Sequence, residues 1–334
     1  MEETGGATGG ETILEVSGLD VTIRKKKANL FAVRDVCFSL REGTTLGVVG
    51  ESGSGKSMTA LAVMRLLAEP VCRISRGEAL FQGRDLRTLS PREMRAIRGN
   101  NMAMIFQEPM TSLNPVLTIG YQIQETLLCH EKISPREARS RCVGLLEKVG
   151  IPLPEQRLRE YPYQLSGGMR QRVMIAMALA CHPRLLICDE PTTALDVTIQ
   201  SQILSLINEL KKETRAAVML ITHDMGIIGE MADQVLVMYA GMVMEYAAIT
   251  GLLEEPLHPY TAALIDSIPS LTEQRETLRE IPGSVPSLDE LPPGCLFHTR
   301  CAYCREICRT GIPGLTSYRG RTVRCWKYTP RWER

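Results

Sequence analysis

Leu14 and Val16, then Leu19, Val21 and Ile23, alternate with polar neighbours at the two-residue period of a half-buried strand, which predicts a strand over residues 13–23. Arg24, Lys25, Lys26 and Lys27 follow as a solvated loop, and a second strand over residues 32–40 ends in a turn at Arg41, Glu42 and Gly43. Residues 45–49 are apolar enough for a buried strand, and residues 58–67 read as a helix. The runs at 102–106, 185–188, 217–221 and 235–239 predict further short strands, the fully apolar ones suited to burial on both faces of a parallel sheet. Helices fall between them. One starts at Pro91; another starts at Ser134 and Pro135 and carries Ala138, Cys142, Leu145, Leu146 and Val149 at helical spacing. A third spans 169–180 behind Ser166, Gly167 and Gly168, and a fourth spans 199–213 with Ile203, Leu206, Ile207 and Leu210 on one face. Polar residues close the buried runs: Asp189 and Glu190 after one, Thr222, His223 and Asp224 after another. Such alternation belongs to an α/β sheet whose ligands sit at the carboxyl ends of its strands.

The stretch Gly50, Glu51, Ser52, Gly53, Ser54, Gly55, Lys56, Ser57 meets G-x-x-x-x-G-K-[ST] at every fixed position, between a predicted strand and a predicted helix. Its glycines let the backbone approach an anion, its amides and the helix start point at that anion, and Lys56 adds a full charge. The Ser57 hydroxyl suits a magnesium ion. Phosphate binding is the chemistry this loop predicts.

Composition excludes several classes. The 334 residues are 44% hydrophobic and 23% charged with net charge +1, ordinary for a globular chain and without a field that recruits nucleic acid. No apolar run reaches the roughly 18 residues of a membrane span, and no secretion signal opens the chain, so a cytosolic protein is expected. Residues 1–11, rich in glycine, read as a flexible tail. Past residue 255 prolines accumulate and five of the eleven cysteines gather, so a domain boundary is placed there, and the cysteines are expected to be reduced thiols or metal ligands.

Leu165-Ser166-Gly167-Gly168-Met169-Arg170-Gln171-Arg172 followed by Leu185-Leu186-Ile187-Cys188-Asp189-Glu190-Pro191 resembles the ATP-binding cassette family, as a signature loop ahead of a Walker B strand. Gln107 matches its Q-loop, Ala194-Leu195-Asp196 its D-loop and His223 its switch histidine, over about residues 12–255. The resemblance implies a P-loop ATPase with a RecA-like core, an antiparallel β subdomain and a helical subdomain at about 108–180, whose first part faces permease coupling helices. It implies nucleotide contacts at Gly50, Ser52, Gly53, Ser54, Gly55, Lys56, Ser57 and Met58, and magnesium held by Ser57, Gln107 and Asp189. Glu190 would polarise the attacking water, with Gln107 and His223 beside it. Ser166, Gly167, Gly168 and Asp196 would close over ATP held by a second cassette. The family stacks adenine on an aromatic residue upstream of the P-loop strand; Phe31 is the nearest, and it suits the core as well.

Leu257-His258-Pro259-Tyr260-Thr261-Ala262-Ala263-Leu264, Pro282-Gly283-Ser284-Val285-Pro286 and Gly294-Cys295-Leu296-Phe297-His298-Thr299-Arg300-Cys301 are similar to the ATPase subunits of oligopeptide, dipeptide and nickel importers. In some of these, cysteines matching Cys295, Cys301, Cys308 and Cys325 hold a 4Fe-4S cluster. Zinc is the alternative, and Cys301-x-x-Cys304 leaves the ligand set open. The resemblance further implies a second ATPase chain, usually a different one, two membrane-spanning permeases and an extracytoplasmic binding protein, with the chain peripheral on the cytoplasmic face of the membrane. Peptide is the cargo it points to; nickel or another small solute, or a soluble cassette ATPase without a transport role, are the alternatives.

Overall fold

The computed structural model describes residues 10–25, 29–108, 112–192, 196–268 and 281–332. Most of the expected tail (residues 1–9), Lys26 and Lys27 of the basic loop, Ala194 and Leu195 of the D-loop, and Pro269 lie outside the described residues.

Strands β1 (Thr12–Arg24) and β2 (Asn29–Arg41) pair antiparallel, β3 (Thr45–Val49) runs through the P-loop into α1 (Lys56–Val63), β4 (Cys72–Phe81) returns to β1, and β5 (Arg84–Asp85) pairs with β4. The result is a four-stranded antiparallel sheet of order β2-β1-β4-β5. One detail of the sequence pattern is explained there. The apolar positions change parity between Val16 and Leu19, and the pairing register shifts at that point, where Gly18 takes a left-handed φ of 58°. The bulge keeps Leu14, Val16, Leu19 and Val21 all buried.

After α2 (Pro91–Ile97), which Ser90 and Glu93 start with a reciprocal capping box, β6 (Met102–Ile105) enters the second sheet. A helical layer follows: α3 (Ile119–His130), α4 (Pro135–Lys148), the short α5 (Pro154–Arg157) and α6 (Gly167–Leu179). Helix α3, with Thr118 as its cap, was not singled out from the sequence, where its apolar face is broken by Gln122 and Glu125. Gln122 is buried all the same, because its amide ties down the Asn114–Leu117 turn by accepting from Asn114 N and donating to Asn114 O and Leu117 O. Ile119, Ile123, Leu127, Ala138, Cys142, Leu146 and Val173 join one core with Cys188 and Leu220 of the sheet.

The chain then alternates through β7 (Leu185–Asp189), α7 (Val197–Thr214), β8 (Ala217–Ile221), α8 (Met225–Met231), β9 (Gln234–Tyr239) and β10 (Met242–Ala248). Strands β9, β3, β8, β7 and β6 are parallel neighbours, so the P-loop strand is central, and β3, β7 and β8 are buried at every position.

Beyond α9 (Ile249–Glu254) and α10 (Pro259–Asp266), the later segment carries α11 (Glu306–Thr310) and a hairpin, β11 (Thr316–Tyr318) and β12 (Arg321–Val323). Strand β12 pairs with β10 and extends the same sheet to eight strands. Two buried charges pin this segment. Glu245 of β10 accepts the N–H groups of Leu257 and His258 at 2.8–3.2 Å, and Arg324 donates to Val243 O at 2.9 Å and Asp35 Oδ2 at 2.9 Å. Each ion is matched by polar partners, without which its burial would cost several kcal/mol. Among the described residues no helix is long and apolar enough to cross a membrane.

His258 gives this packing a pH signature. It is 1% exposed, its Nδ1 accepts the Tyr260 N–H at 3.0 Å, and burial pushes its pKa down to about 3. The unfolded chain binds a proton near pH 6.5 that the folded chain refuses, so stability falls as pH drops from 6.5 towards 3. Urea titrations should show a loss of up to about 2 kcal/mol between pH 7 and pH 5, with a flatter profile in His258→Asn. Identical pH profiles for the two proteins would contradict the buried neutral imidazole.

Candidate functional site

The loop between β3 and α1 is shaped by what its glycines allow. Gly50 has φ 150°, and a Cβ there would lie 2.1 Å from the Met238 carbonyl oxygen; Gly55, with φ 97°, would meet Ala32 O at 2.9 Å. The loop is thus pressed onto β9 and β2 by backbone contacts that no side chain permits, and Gly241 N donates to Ser54 O at 2.9 Å to hold it there.

Lys56 opens α1 with its ammonium buried, donating to Gly50 O at 2.7 Å and Glu51 O at 3.1 Å. Burial lowers its pKa, while Glu190, Asp189 and Glu51 pull the other way. Ser57 Oγ donates to Asp189 Oδ1 at 2.8 Å. Asp189 ends β7 almost fully buried, and its pKa is raised first by that burial and then by Glu190, against the Ser57 bond and Lys56. A half-buried hydroxyl paired with a buried carboxylate beside the glycine-rich loop supplies the oxygen donors that magnesium prefers, so these two residues fit such an ion.

Glu190 follows in a left-handed conformation, φ 46°, with its N–H donating to Ile221 O of β8 at 2.9 Å. Its Oε2 accepts from Gln107 Nε2 at 3.0 Å, and its Oε1 lies 3.4 Å from His223 Nδ1. Residues 107, 190 and 223, scattered over the sequence, meet because β6, β7 and β8 are adjacent and parallel, so their carboxyl ends open side by side.

The other expected residues lie elsewhere. Ser166 caps α6, its Oγ accepting Met169 N–H at 3.3 Å, with Gly167 exposed and in open space. Asp196 caps α7 by accepting Ile199 N–H at 2.9 Å, and a Cβ on Gly168 would sit 3.4 Å from Ile199 Cγ2, so the two loops are neighbours. No hydrogen bond among the described residues joins either loop to the P-loop. Phe31 is not core: it is 38% exposed on β2, one residue from the Ala32 carbonyl that backs Gly55, with the Arg34 guanidinium 5.4 Å from its ring.

Residues 33–193 match the ABC transporter family, and residues 244–308 match the oligopeptide/dipeptide transporter C-terminal region. Over 318 residues the chain is 50% identical to the oligopeptide transport ATP-binding protein AppD of Bacillus subtilis, covering 95% of this chain and 97% of that one. This chain belongs to the ABC transporter family. It is likewise 48% identical to the oligopeptide transport ATP-binding protein OppD of Salmonella typhimurium, with 94% and 93% covered. Among solved structures it is similar to the ATP-binding cassette MJ0796 in a dimeric post-hydrolysis state bound to ADP and Pi, with TM-score 0.64, 27% identity, and 71% of this chain and 99% of that one covered. The chain is therefore an ATPase subunit.

In this ABC ATPase the segment past residue 255 brings four thiols together. Cys295, Cys301, Cys308 and Cys325 line one cavity of about 20 Å³ with His258, Phe297 and Trp326; Cys304 does not line it, and its Sγ donates to Arg305 O. Burial pushes the thiol of Cys295 up to about 12 and that of Cys325 to about 11, and raises that of Cys301. As arranged, no group of three or more His, Cys, Asp or Glu among the described residues is disposed to hold a metal ion. By donor type alone, the four thiols lining this cavity are the soft ligands that iron or zinc takes.

The ties made by Gln171 and Arg172 of the signature motif have no signal in the sequence. Gln171 is buried and donates to Pro191 O at 2.6 Å, tying α6 to the chain just past Glu190; Arg172 donates to Val149 O at 2.5 Å. Glu51, Tyr260 and Arg300 were also missed. The one available signal was a carboxylate inside an anion-binding loop, which requires a compensating cation.

Gly50→Ala should weaken MgATP binding at least about tenfold while leaving circular dichroism unchanged, because the added carbon forces the loop off β9. Parental affinity in that variant, measured by calorimetry, would show that the close approach is not required.

Proposed function

We propose that this ATPase powers peptide uptake, working as the energy subunit of an importer on the cytoplasmic face of a membrane. The observation that carries the catalytic part is the meeting of Gln107, Glu190 and His223 at the mouth of the loop that holds Lys56 and the Ser57–Asp189 pair. Lys56 and the loop amides take the triphosphate, with Gly50, Ser52 to Gly55 and Met58 forming the cradle. Ser57, Asp189 and Gln107 are the residues that would hold Mg2+, which supplies charge neutralisation at the outer phosphates. Glu190 accepts the proton of the attacking water; Gln107 and His223 fix the direction of its two oxygens, so the carboxylate is held ready rather than free to rotate. Phe31 is exposed at the right strand for adenine.

Ser166, Gly167 and Asp196 are exposed and Gly168 half-buried, none with a described hydrogen bond to its own P-loop, as suits residues that complete the site of a second cassette. The dimeric state of MJ0796 supports that reading, and a different ATPase chain is the partner we assign. Two permeases and a binding protein complete the importer, with the permeases seated on the helical subdomain. Peptide as cargo rests on the names of the relatives and on the match of the C-terminal region. For that segment we assign a 4Fe-4S cluster, with zinc as the alternative, to Cys295, Cys301, Cys308 and Cys325. Such a group supplies a structural staple to a stretch with little core of its own.

Glu190→Gln should retain MgATP binding, lose about two to four orders of magnitude in turnover and accumulate ATP-bound dimers on gel filtration with the partner ATPase. Undiminished turnover would remove Glu190 from its role. Replacing Cys295 and Cys325 together with serine should strip the metal from the anaerobically purified chain while nucleotide still binds; unchanged iron and zinc content by mass spectrometry would refute the ligand set.

A further inference from the structure

Glu51 places a negative charge inside a loop built to attract one, and the C-terminal segment supplies its counterion. Three parts of this residue are held separately. Its N–H donates to Tyr260 Oη at 2.9 Å, its carbonyl accepts from Lys56 Nζ at 3.1 Å, and its carboxylate oxygens meet the two terminal nitrogens of Arg300 at 2.7 and 3.0 Å. The Arg300 side chain is only 4% exposed.

Arg300 is itself fixed from several sides. Its Nε donates to Pro282 O at 2.7 Å, Nη2 to Ile281 O at 3.1 Å and Nη1 to Tyr239 Oη at 3.4 Å, while the rings of Tyr239 and Phe297 lie 5.8 and 5.9 Å from the guanidinium. Tyr239, Tyr260 and Phe297 pack edge-on or tilted against one another at centroid distances of 4.8–5.3 Å, a rigid wall that joins the end of β9 to the C-terminal segment. A planar fork anchored this way presents two donors to a carboxylate without further loss of freedom.

We propose that Arg300, backed by Tyr260, is a positioning residue for the P-loop: it neutralises Glu51 and fixes the backbone on which the triphosphate is bound. Unpaired, the Glu51 carboxylate would compete for Lys56 and repel the incoming polyanion. The C-terminal segment thereby becomes part of the nucleotide site, 249 residues along the chain from the loop it supports. The inference rests on the assignment of the loop as the nucleotide site.

The test is steady-state hydrolysis by the full chain, with the MgATP concentration varied. Arg300→Met should raise KM for MgATP about tenfold with kcat changed less than about threefold, because the lost pairing acts on phosphate binding rather than on the attacking water. Glu51→Gln combined with Arg300→Met should bring KM back to within about threefold of the parent, since removing the carboxylate removes the need for its counterion. Arg300→Lys, which keeps the charge and loses the fork, should show a smaller rise that Glu51→Gln also relieves, and it decides the matter by the same comparison if Arg300→Met does not accumulate in folded form. A purely structural Arg300 would leave the double variant as impaired as the single one, and that result, or an unchanged KM in the single variant, overturns the proposal. Lys56→Ala keeps the two levels apart: if it binds MgATP like the parent, the assignment of the loop itself fails, whatever Arg300 does.

Discussion

The arrangement depends on a buried ammonium group. Lys56 gives up most of its water beneath the loop that carries it, which lowers its pKa, while two loop carbonyls accept its hydrogen bonds and three nearby carboxylates favour the charged form. Such a cation is poised rather than neutralised: a phosphate arriving at the loop adds a negative partner to a group already stripped of solvent, which is where a charge interaction counts for most. The close approaches at Gly50 and Gly55 serve the same end, since a loop standing farther from β9 and β2 would leave the ammonium wet.

Parallel pairing supplies the chemistry around that cation. Because β6, β7 and β8 run alongside β3 in the same direction, each strand delivers its first polar residues to the same edge, and Gln107, Asp189 with Glu190, and His223 arrive there without any local sequence signal linking them. The two adjacent carboxylates are then separated by their surroundings. Asp189 faces inward to the Ser57 hydroxyl, whereas Glu190, turned by its left-handed backbone, faces outward between an amide and an imidazole. Geometry rather than composition thus gives the two carboxylates different partners.

The C-terminal segment joins this machinery through ionic groups next to its thiols. Arg300 precedes Cys301 and reaches the P-loop; Arg324 precedes Cys325 and reaches Asp35 of the antiparallel sheet. A stretch rich in proline and poor in regular structure is held to the ATPase core by these two buried forks, by the aromatic wall and by the β12 pairing. Apolar packing adds to these ties, since Tyr260, Leu264, Leu296 and Phe297 join the core of the parallel sheet.

The sequence alone carried the local patterns: which runs are buried strands, where helices start at Pro91, Ser134 and Ser166, and that residues 50–57 match a phosphate-binding motif. Each follows from periodicity or from a short motif whose parts are neighbours in the chain, so one-dimensional spacing carries the information. The family resemblance placed Gln107, Glu190 and His223 in one site, which their positions in the chain could not do. Tertiary structure alone decided that Phe31 is exposed, that Gln171 is a buried tie, that Cys304 stays out of the thiol cavity and that Glu51 answers to Arg300. The physical reason is the same in each case: burial and charge pairing depend on distance through space, and no period along the chain encodes which remote side chain will lie within 3 Å of which carboxylate.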